Sequence, residues 1–306
     1  MNNVFARKCN ANQDSSVVEG LFNFQDANFQ LDEKLNEIIL NNRSSLWENG
    51  AIDDIKAGDY FVQQMEIVGL TDYDSDLFDF IGKYTVGGPE RVIGLAKGLE
   101  KNILLEIKGK SILVADKHNF VAPFLLETAE KRILPKRFSM DHIDAHHDRG
   151  GTLRNSLKDY GSNLSDKDKL KYVLKNSEIG TWQTYPLIKS KIASEESWRW
   201  LTLADSLTKI VQKNLQNIVI NENPFSSNGA DVMDIDIDFL ADIDKDLTVS
   251  EKAEVLRANI PERICKILSY LASNSENAKV ITLITSPAFI NQARAIEYVK
   301  YFIEVL

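Results

Sequence analysis

The sequence predicts an α/β fold in which helices cover a mainly parallel sheet. After residue 110, strand-like segments alternate with helical ones: "SILVAD" is followed by the helical "APFLLETAEKRIL" and then by the strand-like "KRFSMDHID". Alternation of this kind is typical of parallel strands joined by helical crossovers. A chain of 306 residues with 43% hydrophobic and 26% charged residues is also long enough to bury a substantial core.

The first hundred residues have a different pattern. Residues 30–100 are predicted to be mostly helical, and "VGGPERVIGLAKGLEKN" (86–102) to be a turn followed by a helix with Pro89 near its start. In "NILLEIKGKSILVAD" (102–116), two apolar, β-rich runs flank Lys-Gly-Lys, which indicates a hairpin or two successive strands.

The remaining elements complete the alternation. We predict helices in "SDKDKLKYVLKNS" (165–177) and "ESWRWLTLADSLTKIVQKNL" (196–215), and a strand in "DVMDIDIDFL" (231–240). The segment "TVSEKAEVLRANIPERICKILSYLAS" is predicted to form one or two helices, "KVITLITS" a strand, and "NQARAIEYVKYFIEVL" the last helix.

Charge and hydropathy exclude several classes of partner. The net charge of −9 argues against a nucleic acid or an anionic membrane surface as the partner. No run approaches the ~18 apolar residues of a membrane span. The start "MNNVFARKCNANQDSS" lacks the apolar stretch of a signal peptide, so the expected compartment is the cytoplasm.

Histidine is concentrated in one part of the chain. All four histidines lie between residues 118 and 147, and three of them are in "HIDAHHDRG" (142–150). Within that stretch Asp144, His146 and Asp148 alternate, so on an extended chain their side chains point the same way and converge.

A second alternating cluster lies in "DVMDIDIDFLADID", which contains Asp234, Asp236 and Asp238. Carboxylates this close repel one another unless a cation neutralises them, and a divalent metal does so. A lone Asp-x-Asp or a lone histidine is more often structural, but the two clusters together predict a metal site. About four aspartates to two histidines favour manganese or a similarly hard ion, and two ions rather than one.

At these motifs the chain resembles the arginase-like ureohydrolases, which share their fold with the histone-deacetylase-like enzymes. "DAHHD" is similar to the Asp-Ala-His-x-Asp motif of that family, "DIDFLAD" to its Asp-x-Asp strand, and "ADKHN" lies where the family has Gly-Gly-Asp-His. "TSPAF" (285–289) matches a late Ser-Pro of a less-studied branch. Some members of that branch are peptide arginases, which convert arginine side chains of a precursor peptide to ornithine and urea in ribosomal-peptide natural-product pathways.

The resemblance covers roughly residues 108–295 and implies a three-layer α/β/α fold of the arginase/deacetylase type. We expect two regions: a mostly helical one, 1–107, which lies outside the resemblance and packs on the core, and a metal-binding catalytic domain, 108–306. The resemblance also implies that two manganese ions activate a shared water, which attacks the guanidinium carbon of an arginine side chain.

The resemblance assigns metal ligands residue by residue. One ion would be held by His118, Asp144, Asp148 and Asp236. The other would be held by Asp144, His146, Asp236 and Asp238. Asp234 would support the ligands without binding an ion itself. If the register is shifted by two residues, Asp234 and Asp236 would be the ligand pair instead.

The catalytic residues expected beyond pure ligation are His142, His147 and Asp148. His142 or His147 would protonate the leaving amine, because histidine titrates in the right range. His142 shares the ligand face and can instead orient Asp144, whereas His147 points away if the extended chain continues.

The substrate assignment departs from the classical arginases. No acid follows the last strand in "ITLITSPAF", and "RGGTLRNSLKDYG" after Asp148 lacks a loop for the α-amino and α-carboxylate groups of free arginine. Both absences argue against free arginine as the substrate and are compatible with an arginine already in peptide linkage. Asp116 and Glu178 are the first candidates to bind the guanidinium, followed by Glu222.

Other functions stay open at this point. The chain can be a ureohydrolase of agmatine or an arginine-like small molecule, a metal-dependent deacetylase, or a non-catalytic binding protein that keeps its metal for stability. An arginine-containing peptide is the expected partner, and the sequence allows a homo-oligomer.

Overall fold

The structure of the chain is a computed structural model. It describes residues 60–66, 82–84, 91–97, 99, 102–148, 182–183, 192–193, 197–202, 229–240, 249–286, 290 and 292–306. Among these residues, no helix combines the length and apolar character needed to cross a membrane.

Three strands form a separate antiparallel sheet in the order β1-β3-β2. They are β1 (Tyr60–Glu66), β2 (Gly82–Tyr84) and β3 (Arg91–Lys97). The helix predicted over 86–102 is therefore wrong. Residue 94 is a glycine, which weakens a helix interior, and β3 pairs with β1 along its whole length, which satisfies the backbone as a helix would.

The main sheet has six strands. They are β4 (Ile103–Ile107), β5 (Lys110–Ala115), β6 (Met140–Ile143), β7 (Trp198–Leu201), β8 (Val232–Asp236) and β9 (Val280–Ile284). Their order in the sheet is β4-β5-β9-β8-β6-β7. Only β4 runs antiparallel to its neighbour, so the prediction of a mainly parallel α/β sheet is confirmed.

The first two strands of this sheet form the predicted hairpin. Lys108 and Gly109 make its two-residue turn with φ of 50° and 75°, and a turn with two positive φ angles matches the twist of paired strands. The boundary drawn at residue 107 falls within this hairpin. The described part of residues 1–107 contains strands and no helix, in contrast to the helical region expected there, and the division into two regions stays a prediction.

Helices pack on both faces of the main sheet. They are α1 (Val121–Glu130), α2 (Val249–Asn274) and α3 (Gln292–Val305). Alternate strand residues, such as Leu113 and Met140, pack in one apolar cluster with α1. The strand residues between them, such as Ile112 and Ile143, pack in a second cluster with α2 and α3. The predictions for the helices after β5 and β9 are confirmed, and the segment before β9 forms one helix that contains Pro261.

The helix predicted over 196–215 is wrong at its beginning, because residues 198–201 form β7. Trp198 and Trp200 are buried on one face of that strand, while the half-buried Arg199 between them reaches Asp141 on β6. Burial of two indole rings in this way needs the two-residue period of a strand. Residues 203–215 and the helix predicted over 165–177 lie outside the described residues.

Strand order fixes where a site can form. From β6 the chain continues to β7 on one side, whereas β8 pairs with β6 on the other. In open parallel sheets, ligands bind beyond the carboxyl ends of strands at such a reversal. Asp231 holds the register of β6 and β8, because its Oδ2 accepts hydrogen bonds from the N–H and hydroxyl of Ser139, each of 2.8 Å. In that register His142 lies beside Asp234.

Candidate metal centre

Two neighbouring strand ends carry the same local turn. After β6, Asp144 Oδ1 accepts the backbone N–H of His146 at 2.6 Å. At the end of β8, Asp236 Oδ1 accepts the backbone N–H of Asp238 at 2.9 Å. Aspartate often closes a turn on the amide two residues later. The Asp-x-His and Asp-x-Asp patterns thus fold alike and bring the two pairs together.

His118 lies at the centre of the buried part of the site. Its ring follows β5 in a 3-10 turn, and its Nδ1 lies 3.1 Å from Asp144 Oδ2, 2.9 Å from Asp148 Oδ2 and 3.0 Å from Asp236 Oδ2. These four side chains are at most 5% exposed. One ring nitrogen carries at most one proton, so it cannot donate to three carboxylates at once. A nitrogen and three oxygens grouped in this way are suited to surround a cation.

The opposite edge of the His118 ring contacts Asp234. His118 Nε2 lies 2.8 Å from Asp234 Oδ2, His142 Nδ1 lies 2.7 Å from the same oxygen, and the Thr282 hydroxyl donates to Oδ1. Protein groups therefore contact both oxygens of Asp234. These contacts favour a role for Asp234 in orienting the ligands. They disfavour the alternative in which Asp234 and Asp236 are the ligand pair.

A second group of potential ligands shares Asp144 with the first. His146 Nδ1 lies 2.9 Å from Asp238 Oδ2 and 3.6 Å from Asp144 Oδ1. The His146 side chain is 54% exposed, so the site opens towards solvent on this side. Both His118–His142–Asp144 and Asp144–His146–Asp238 have ligand atoms within 4.8 Å of one another.

Two buried carboxylate oxygens of the site lack a hydrogen bond. Among the described residues, Asp144 Oδ2 and Asp238 Oδ1 accept none, although ring nitrogens of His118 and His142 lie 3.1 and 3.2 Å from Asp144 Oδ2 in unsuitable orientations. An unsatisfied buried carboxylate oxygen is costly unless an ion or a water contacts it. The donor set therefore fits a metal, and the buried group of His118, His142 and Asp144 can hold one.

The pKa values of two aspartates show that it is unfavourable to bury these carboxylates together without a cation. Burial, followed by the charge of Asp238, raises the pKa of Asp236 to about 6. Burial, followed by the charge of Asp144, raises the pKa of Asp238 to about 7. A divalent cation would favour the ionised form of both groups and so remove this cost.

Without a metal ion, the positive charges of the histidines balance the negative charges of the aspartates. Hydrogen bonds to Asp144 and Asp238 raise the pKa of His146 to about 11. Burial raises the pKa of Asp234, but the charge and hydrogen bonds of His118 and His142 outweigh it, so the pKa lies well below its usual range. A metal ion would replace the protons on the ligand histidines.

The two histidines expected to move protons have different surroundings. His142 is fully buried, and its Nε2 lies 3.0 Å from the carbonyl oxygen of His146, so both of its ring nitrogens contact protein groups. His147 is half-buried, and its ring lies edge-on to that of Trp200 with centroids 5.6 Å apart. Both ring nitrogens of His142 are therefore engaged by protein groups, whereas the His147 ring packs against Trp200.

The candidates for guanidinium binding gain no support as substrate groups. Asp116 is buried, and its two carboxylate oxygens accept hydrogen bonds of 2.8 Å from Thr285 Oγ1 and the backbone N–H of Leu99. These contacts give Asp116 a structural role between the ends of β5 and β9. Glu178 and Glu222 lie outside the described residues.

The sequence did not predict several residues that contact the site, among them Trp182 and Ser286. The fully buried Trp182 donates its indole N–H to Asp148 Oδ2 at 2.7 Å, and its ring lies 5.2 Å from that of His118. Ser286 donates its hydroxyl to Asp236 Oδ2 at 2.7 Å. The "TSPAF" stretch pointed to Ser286 without giving it a role, and no local pattern pointed to Trp182.

No protein-family model, curated protein or solved structure gives a significant match to this chain.

Proposed function

We propose that the chain is a two-metal hydrolase of the arginase-like type, with the three-layer fold of that superfamily. The observation that carries the proposal is the shared carboxylate of Asp144, whose Oδ2 faces His118 while its Oδ1 faces His146. A carboxylate with one oxygen in each of two ligand groups is suited to bridge two cations. The apolar clusters on the two sides of the sheet support the three-layer arrangement.

The ligand sets of the proposal are those that the resemblance implies. One ion would be held by His118, Asp144, Asp148 and Asp236. The other would be held by Asp144, His146, Asp236 and Asp238. A set richer in carboxylate oxygen than in imidazole, without thiolate, favours manganese. Such ions would supply the positive charge that lowers the pKa of a nearby water and polarises the group under attack.

The chain's own residues prepare this site. With an ion bound, Asp234 would accept a hydrogen bond from His118 Nε2–H, which would fix the tautomer and leave Nδ1 free of a proton to face the ion. His142 spans Asp234 and the carbonyl oxygen of His146 and so ties the two strand ends together. His147, half-buried beside the exposed His146, is the proton donor that the proposal retains for the leaving amine.

The substrate class of the proposal is an arginine side chain in a peptide, converted to ornithine and urea. It rests on the resemblance of the three motifs and on the absence of the classical groups for free arginine. Access through the side where His146 is exposed suits a side chain that enters from solvent.

The test is a urea assay on full-length protein stripped with a chelator and reloaded with Mn²⁺. Substrates are a terminally blocked arginine peptide, free arginine and agmatine, with an acetyl-lysine peptide assayed for acetate. The proposal predicts urea from the blocked peptide, little from free arginine, and none from an Asp144→Asn variant.

The other outcomes select the alternatives. Urea from agmatine or free arginine alone indicates a small-molecule ureohydrolase, and acetate indicates a deacetylase. Bound metal without turnover of any substrate indicates a binding protein and contradicts the proposal.

A further inference from the structure

The segment that follows β9 gives hydroxyl groups to two different aspartates. Thr285 Oγ1 donates to Asp116 Oδ1 at 2.8 Å, and Ser286 Oγ donates to Asp236 Oδ2 at 2.7 Å. Asp116 follows β5 and Asp236 ends β8, while β9 lies between these strands in the sheet. Two adjacent residues thus each donate a hydroxyl hydrogen bond to an aspartate on a neighbouring strand end. Of these two aspartates, only Asp236 lies in the metal centre.

Asp236 is held through both of its oxygens. Its Oδ1 accepts the backbone N–H of Asp238, and its Oδ2 accepts the Ser286 hydroxyl. That same Oδ2 lies 3.0 Å from His118 Nδ1. Rotation of the carboxylate would break the Ser286 hydrogen bond, so this hydroxyl aims the oxygen at the buried half of the site.

The backbone of Ser286 is held in an unusual conformation. Its φ is 44°, in the left-handed region that few residues other than glycine adopt, and it precedes a proline in the sequence. Hydrogen bonds from Thr285 N to Ala115 O and from Ile290 N to Ser286 O hold the segment on both sides. Such conformations concentrate at functional sites, where surrounding structure maintains them.

We propose that Ser286 is a positioning residue of the metal centre, and that its hydroxyl sets metal affinity by fixing Asp236. The inference rests on the metal centre of the proposed function and assigns to that centre a residue outside the ligand motifs. Removal of an outer partner of a metal ligand typically weakens metal binding about 10–100-fold. Thr285, which holds Asp116, should have no such effect.

The experiment compares Ser286→Ala, Ser286→Gly and Thr285→Val in the full-length chain. Each protein is stripped with a chelator, titrated with MnCl₂ in a calorimeter, and melted in the metal-free state. Both Ser286 variants should bind Mn²⁺ about 10–100-fold more weakly, whereas Thr285→Val should bind it with wild-type affinity. Glycine accepts a positive φ, so Ser286→Gly should melt at a higher temperature than Ser286→Ala while losing the same affinity.

Three results would contradict the inference about Ser286 and leave the proposed function intact. They are wild-type Mn²⁺ affinity in Ser286→Ala, an equal loss of affinity in Thr285→Val, and recovery of affinity in Ser286→Gly, which would implicate the backbone and not the hydroxyl. A wild-type chain that binds no Mn²⁺ overturns the proposed function together with this inference.

Discussion

Asp144 is the residue on which both halves of the proposed metal centre depend. Its oxygens face His118 on one side and His146 on the other, and it is buried. Asp116 offers a matched comparison, because it is an equally buried aspartate just beyond a strand end whose oxygens contact Thr285 and Leu99 instead.

Asp144→Asn should therefore lose bound manganese, and Asp116→Asn should keep it. The loss should exceed the ~10–100-fold that removal of an outer partner costs, since a bridging ligand serves both ions. Metal content after gel filtration, measured by mass spectrometry, checks this. A full complement of manganese in Asp144→Asn would contradict the assignment.

Trp182 offers a second test at this scale. Trp182→Phe removes the N–H that donates to Asp148 Oδ2 and keeps a buried ring, so Mn²⁺ affinity should fall about 10-fold. Trp200→Phe is the control, because the Trp200 indole N–H donates to the backbone carbonyl of Asp144 and not to a carboxylate. Calorimetric titration with Mn²⁺ measures the affinity of both variants. An equal loss of affinity in the two would show that Trp182 contributes only by packing.

At the residue scale, alternation along the chain predicted which side chains converge but not how. β6 ends at Ile143 and β8 at Asp236, so turns and not extended chain place His146, Asp148 and Asp238. His142 and Asp144, like Asp234 and Asp236, share one face of the sheet because extended residues two apart point the same way. The partners that fix these ligands could not be predicted. Trp182 and Ser286 lie 34 and 50 residues from the carboxylates that they contact, and no local pattern encodes such a distance.

At the scale of elements, an ion pair on the buried Asp141 joins β6 and β7, and a hydrogen bond to the same carboxylate adds α2, on the face opposite the metal centre. Arg199 donates to both oxygens of Asp141, at 2.5 and 2.7 Å, and the Tyr270 hydroxyl of α2 donates to the same carboxylate. Asp141 is fully buried. Breaking such a pair leaves a buried charge without its partner.

Arg199→Met should accordingly destabilise the fold by about 3–5 kcal/mol. Lys266→Met on α2 is the control, because Lys266 pairs with Glu262 on the surface, where ion pairs contribute roughly 0–1 kcal/mol. Urea unfolding of the two variants measures the difference. Equal free energies of unfolding would show that the Asp141 pair does not hold β7 in place.

Elements were predicted well where local pattern and tertiary packing agree, as in the β4–β5 hairpin and α3. They were predicted wrongly for β3 and β7, where short apolar runs suit a helix or a strand equally. Residues 198–201 form a strand because they pair with β6 and because Trp198 and Trp200 are buried. Both depend on residues far away in the chain.

At the scale of the whole molecule, the sheet order brings the motifs together. β9, which is late in sequence, lies between β5 and β8, and β8 lies beside β6. Strand–helix alternation predicted a mainly parallel sheet, but it does not specify which strands are neighbours, since that depends on long-range packing. The convergence of strand ends at one edge follows from the parallel arrangement alone.

The buried acids also predict how metal stabilisation depends on pH. Burial and neighbouring charges raise the pKa of Asp236 to about 6 and that of Asp238 to about 7. Between about pH 4 and 7 the metal-free folded chain therefore binds more protons than the unfolded chain, so its stability falls as the pH rises. Metal binding needs these groups ionised and strengthens over the same range.

The difference in melting temperature between Mn²⁺-loaded and chelator-treated protein should consequently increase from pH 5.5 to pH 8. Differential scanning fluorimetry across that range measures it, with Asp144→Asn as the variant in which the difference should vanish. A difference that is constant or decreases with pH would contradict the burial of the ligand carboxylates.

The most direct test of the metal centre is a crystal structure of the Mn²⁺-loaded protein, with anomalous data collected at the manganese edge. Two peaks about 3.5–4 Å apart, as is usual for two-metal sites, should flank the Asp144 carboxylate, one next to His118 and the other next to His146. A map with no peak there, or with manganese bound elsewhere on the chain, would contradict the account.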